Sequence, residues 1–95
     1  MVLIPLGFMV MPLGMICVTR RAAAELDRFQ AHDALTSHMI GDWGSVEEDD
    51  WRKNDEALRN GDRIVSSYLN RDLRRFLIIT EADRSATTIL LPEEC

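Results

Sequence analysis

The strongest constraint on the fold lies between residues 62 and 91. Runs rich in Ile, Val, Leu, Thr, Phe and Tyr, at 63–69, 74–80 and 86–91, are separated there by polar clusters, Asn70-Arg71-Asp72 and Glu81-Ala82-Asp83-Arg84-Ser85. β-Branched and aromatic side chains suit a pleated, half-buried surface, and short polar connections return the chain on itself. The spacing therefore predicts consecutive hairpins, a three-stranded antiparallel meander. In the middle run Phe76 and Ile78 point one way and Leu77 and Ile79 the other. Apolar on both faces, this run is expected at the centre, covered by helices on one face. The second face is expected to lie under residues 1–14 or a partner protein. Pro92 lacks a backbone donor and ends the last strand.

Upstream the periodicity changes. Residues 15–19, Met-Ile-Cys-Val-Thr, read as a short strand. Thr19 is placed to cap a helix over 20–31, in which Ala22, Leu26 and Phe29 recur at the helical period. Asp33 is expected to cap a shorter helix over 34–40 with Leu35 and Met39 inside, ended by Gly41. Ser45-Val46-Glu47-Glu48 has the form of a capping box, and Asp49 and Asp50 add negative charge where the helix dipole favours it. That third helix is expected to reach about residue 60, with Gly61 as its left-handed end. Its inner positions, Val46, Trp51, Asn54 and Leu58, are only partly apolar, which makes it a surface helix. The expected fold class is α+β: an N-terminal short strand and two to three helices packed on a C-terminal three-stranded antiparallel meander, in a single domain over 15–95.

The chain opens on an apolar run, MVLIPLGFMVMPLGMICV. A signal peptide carries cations ahead of its apolar stretch, whereas Arg20 and Arg21 follow this one. A membrane span needs about 20 apolar residues in helical register, and Pro5, Gly7, Pro12 and Gly14 interrupt it. Two expectations remain for residues 1–14. They form an apolar arm that mediates self-association as a homodimer, or they are an overrun upstream of a start at Met15 rather than Met1.

Ninety-five residues allow one modest core, burying roughly 60–70% of the unfolded chain's surface. Acidic residues outnumber basic ones 16 to 11, for a formal net charge of −5. That balance disfavours sequence-independent binding to nucleic acid, which needs clustered cations, and suits a basic protein surface. Cys17 and Cys95 make no disulfide framework and no zinc spacing, so free thiols in a reducing, cytoplasmic setting are expected. No cofactor is implied.

Chemistry-bearing residues concentrate in two places. Gly41-Asp42-Trp43-Gly44, close to His38, reads either as a recognition tip or as a tight turn whose Trp plugs the core beneath it. His32 and His38 lie roughly 120° apart on a continuous helix, which does not give a ligand pair. The acidic run 47–50 is read as a helix start, since EF-hand spacing is absent. The 80–85 loop places Glu81, Asp83 and Arg84 together, as a polar site or as a self-pairing turn. The candidate partner-binding residues are thus Trp43, Asp42, His38, Glu81, Asp83 and Arg84. No catalytic or metal-ligating set is identified.

The strings HMIGDWG (38–44), E-x-D-x-x-x-N-x-x-A-L-x-x-G (48–61) and IITEADRSATTILLPEE (78–94) resemble a family of short bacterial proteins of plasmid or mobile-element association, sometimes labelled as a type I restriction subunit. The resemblance covers residues 15–95 and implies a common fold and a mobile-element setting, with no catalytic residues. Cys95 stands where such proteins commonly end in an aromatic. Two functions are expected to compete. One is a small non-enzymatic regulator or inhibitor that binds a protein, in its sharpest form an anti-CRISPR or anti-restriction factor. The other is a toxin-like RNA-acting enzyme, because the element order resembles RelE/ParE-type toxins. A contiguous cleft of Arg74, Arg75 and Arg84 would favour the enzyme.

Overall fold

The structure, a computed structural model, describes residues 11–95. It is an α+β fold of β1 (Met15–Val18), α1 (Arg20–Glu25), α2 (Arg28–Met39), α3 (Glu48–Asn60), β2 (Ile64–Leu69), β3 (Arg75–Thr80) and β4 (Ala86–Leu90), closed by a 3₁₀ turn over Pro92–Glu94. The meander is present, with β3 paired antiparallel to both β2 and β4. It belongs to a larger, mixed sheet of four strands in the order β1-β4-β3-β2, because β1 docks parallel to β4.

The helices divide differently from the expectation. Thr19 does cap α1, its hydroxyl accepting from the Ala22 amide at 3.1 Å. However, α1 stops at Glu25 and Leu26 is extended (φ −124°, ψ 138°). Asp27 then starts α2 through a reciprocal box: its carboxylate accepts from the Gln30 amide at 2.8 Å, and the Gln30 side chain accepts from the Asp27 amide at 3.2 Å. A new N-terminus whose donors are satisfied in this way outcompetes continuation through Leu26. Asp33 is consequently an exposed mid-helix residue rather than a cap, and Phe29 is 66% exposed beneath the Arg28 guanidinium rather than inward. The box expected at Ser45 does not form. Glu47 stands at the N-cap of α3 with no side-chain bond, while Ser45 is held elsewhere by its backbone. Gly61 ends α3 at φ 75°, as its left-handed role requires.

Side-chain alternation assigns the faces. Phe76, Ile78, Ile89 and Leu91 pack against Ala22 and Ala34, with Leu26, Ala31 and Leu35 closing the layer under α1 and α2. A second cluster, Met11, Trp43, Ala57 and Ile64, lies at the β2 end, where Val46, Trp51 and Leu58 flank it. On the opposite face Ile79 and Leu90 are buried as well. Residues 11–14, part of the run expected as an apolar arm or an overrun, pack against the other described residues. Met11 is 2% exposed, its amide donates to the Met39 carbonyl, and the Leu13 carbonyl accepts from Thr87. The rest of the proposed arm, its self-association and the choice between Met1 and Met15 fall mainly on residues outside those described. No helix among the described residues is long and apolar enough to cross a membrane.

Candidate functional site

The loop after α2 is shaped by one close approach. Gly44 (φ 77°) bridges to Ser67 of β2, and any Cβ there would meet the Ser67 carbonyl and the Tyr68 ring. On either side of it the Ser67 amide donates to the Trp43 carbonyl at 3.1 Å, and the Ser45 amide donates to the Ser67 carbonyl at 2.7 Å. Arg75 reinforces the contact by donating to the Ser45 carbonyl at 2.7 Å and to the Ser67 hydroxyl. The Trp43 ring is thereby carried inward to full burial, where its indole N–H donates to Asp55 of α3 at 2.9 Å. Asp42 remains exposed. Its carboxylate accepts from the Gly44 amide and its carbonyl accepts from the Tyr68 hydroxyl at 2.6 Å. Burial pushes the Tyr68 phenol well above its usual range, so it stays protonated to make this bond.

His38 meets Trp43 edge-on, with ring centroids 5.6 Å apart, and is also fully buried. Its neighbours form a directional chain of hydrogen bonds. Thr87 has one hydroxyl hydrogen, which goes to the Leu13 carbonyl at 2.7 Å. The Thr80–Thr87 contact at 2.7 Å must then be donated by Thr80. Thr80 in turn accepts from His38 Nε2–H at 2.7 Å, and His38 Nδ1 accepts from the Ser66 hydroxyl at 2.5 Å. Hydrogen counting therefore assigns the Nε2–H tautomer. Burial, with the Arg84 charge second, lowers the His38 pKa from 6.5 to about 4, which keeps the ring neutral. Ser66 beside an acceptor nitrogen has the composition of a nucleophile and base. Both residues are 0% exposed, which leaves a substrate no approach. The chain is a structural tie joining α2, β2, β3, β4 and residues 11–14.

Of the 81–85 residues, Arg84 (φ 63°) turns back onto the end of α3. It donates to the Asp62, Glu81 and Ala57 carbonyls at 2.7, 3.1 and 3.2 Å, a cation satisfying carbonyls at a helix C-terminus. The Asp83 carboxylate accepts from the Ser85 amide at 3.0 Å, and hydrogen bonds from Ser85 hold it below its ordinary pKa. Glu81 and Asp83 face solvent. The six candidate residues therefore separate into a buried pair (His38, Trp43), a structural clamp (Arg84) and exposed carboxylates (Asp42, Glu81, Asp83). Among the described residues no group of three His, Cys, Asp or Glu side chains is placed to hold a metal.

A large cleft formed by described residues lies where sequence reading saw only a helix start. It occupies about 780 Å³ beside the first turns of α3. Val46, Val65 and Leu77 line its apolar part, and Glu47, Glu48 and Asp50, all exposed, stand around it. Lys53 and Arg75 also line it, Arg75 being engaged with the loop as above. A burial pattern of Val65 and Leu77 on the sheet face away from α1 and α2 would have pointed here.

The arginines do not converge. Arg74 pairs with Glu25 at 3.0 Å, Arg75 holds the 45–67 contact and Arg84 clamps α3 from the other end of β3. No protein-family model, curated protein or solved structure matches the chain.

Proposed function

We propose that this chain acts without catalysis, by binding a basic protein surface through the cleft beside α3. The observation that carries the reading is the pairing of an apolar lining (Val46, Val65, Leu77) with a rim of exposed carboxylates (Glu47, Glu48, Asp50). Such a rim steers a cationic segment inward, and the apolar lining gives it surface to bury. The net charge of −5 supports the same polarity of partner. The Ser66–His38 pair is sealed, and Arg74, Arg75 and Arg84, which an RNA-acting toxin would gather, are engaged in separate contacts. In the anti-defence form of this reading the partner surface is the nucleic-acid-binding face of a restriction or CRISPR complex; that form rests on the family resemblance alone.

The test compares wild type with the charge-reversed variant Glu47→Lys/Glu48→Lys/Asp50→Lys in capture from the source organism's lysate. The expected outcome is a captured protein that is released by raised salt and lost in the variant. Recovery of the same proteins by both forms, or of none by the wild type, removes the proposal.

A further inference from the structure

The opposite side of the sheet carries a different surface, and its backbone pattern specifies an occupant. β1 is an edge strand, paired only with β4 among the described residues. The Met15 amide donates to the Ser85 carbonyl and the Thr19 amide to the Ile89 carbonyl, so odd-numbered residues face β4. By strand alternation the N–H and C=O groups of Ile16 and Val18 face outward. Their side chains are exposed by 53% and 50%, beside an apolar groove of about 320 Å³ lined by Leu26, Ala31, Leu35 and Ile89. Within β1 itself there is no Pro, Lys or bulge, the devices by which exposed strands avoid pairing.

The outward groups are symmetric about Cys17. We propose that two copies of this chain pair through β1, antiparallel about a two-fold axis at Cys17, to form one continuous sheet across the dimer. Ile16 of one copy then exchanges both backbone hydrogen bonds with Val18 of the other, and the axis repeats the exchange, the self-complementary pattern of an isologous interface. The side chains of Ile16 and Val18 from both copies form a single apolar row on the helix-covered face.

Charge supports the same register. The antiparallel register brings the start of α1 in one copy, which carries Arg20, towards the Gly14 end of β1 in the other. Gly14 lies against the Arg84 and Ser85 backbone, so Arg20 is brought to the side of the sheet that carries the turn with Asp83. Arg20 has no ion pair among the described residues, and Asp83 is exposed and ionised. Symmetry makes the pairing twice. A parallel pairing of β1 places Arg20 against Arg20. The surface is separate from the α3 cleft, at the far edge of the sheet, and stands whether or not that cleft binds a protein.

The full-length chain is measured by sedimentation across a concentration series. The expected wild type is a dimer of twice the 10.9 kDa chain mass. Val18→Pro removes an outward N–H without touching the ladder to β4. It should raise the dissociation constant about thirtyfold, since symmetry deletes the bond twice. Ile16→Lys should do the same by placing charge on the edge, and serves if Val18→Pro alters the circular dichroism. Cys17 reports the register. In a non-hydrogen-bonded antiparallel pair the Cα atoms are about 4.5 Å apart, within disulfide reach. In a Cys95→Ser background, diamide should join two Cys17 thiols into one S–S bond, itself taking up two electrons and two protons to become the hydrazine. A wild-type monomer at every concentration overturns the proposal, as does a dimer that survives both edge variants. Absence of the Cys17 cross-link in a dimer overturns the register. A monomer whose β1 amides shift on adding an extended peptide assigns the edge to a foreign strand and likewise overturns self-pairing.

Discussion

The edges of the sheet are finished in opposite ways. At β2 every outward group of Val65 and Ser67 is occupied. The Asn54 carboxamide donates to the Val65 carbonyl at 2.7 Å and accepts from its amide at 3.4 Å, standing in for a neighbouring strand. The Trp43–Ser45 segment does the same for Ser67. At β1 the equivalent groups of Ile16 and Val18 meet no such partner among the described residues, and apolar side chains surround them. Both are edge strands, Ile-Val-Ser-Ser-Tyr-Leu at β2 and Met-Ile-Cys-Val at β1. What separates them is the side chain and loop that tertiary structure lays beside one and not the other. An edge closed by a carboxamide and a loop backbone serves stability, whereas an edge without such cover is the kind on which another strand can pair.

The contrast breaks most visibly at Trp43. Trp43→Ala removes a fully buried indole and loosens the segment that closes β2. It should cost about 3–5 kcal/mol, a large share of the stability of a domain this size, and expose a second pairing edge. Denaturant unfolding measures the loss, and a concentration-dependent rise in light scattering measures the new edge.

The tie beneath the closed edge can be loosened by acid. The His38 pKa is lowered from 6.5 to about 4 in the folded chain, so between those values the unfolded chain binds more protons. This residue's contribution to stability is fully present above pH 6.5 and falls as pH drops from 6.5 towards 4. The loss should reach about 3 kcal/mol. Unfolding curves at pH 7 and at pH 4.5 check it. His38→Gln should flatten the difference relative to wild type, and equal pH dependence in both forms would show that His38 does not carry it.

A smaller effect sharpens the comparison directly. Asn54→Ala leaves the outward N–H and C=O of Val65 unpaired and should cost about 2 kcal/mol. On the open edge, Ile16→Lys should leave the stability of the unpaired chain within about 0.5 kcal/mol of wild type. Equal losses from the two substitutions, measured at low concentration, would mean that the edges do not differ as described.

Much of this was legible from residues alone where the determining contacts are short in sequence. The β-branched and aromatic runs and their polar turns gave the β2–β3–β4 meander, and the central place of β3 followed from its apolar faces. Gly61 was recognised by position, and the inward Asn54 was placed on the correct face of α3 although its purpose was not visible. The break at Leu26 was within reach, because Asp27 and Gln30 carry the box that an overextended helix concealed. The candidate site was less legible. His38 meets Ser66 and Thr80 across separations of 28 and 42 residues, and no local pattern announces such a tie.

By itself, then, the sequence determined the element types, the meander and the acidic polarity, all of which follow from side-chain period, turn chemistry and charge. Tertiary structure decided the rest. It set β1 parallel to β4 across some seventy residues of chain, sank His38 and Trp43 beneath the surface and turned Arg84 onto α3. It also closed one sheet edge and, among the described residues, left the other open. Those outcomes depend on which backbone and side-chain groups meet at long range, where burial and hydrogen-bond satisfaction override local preference.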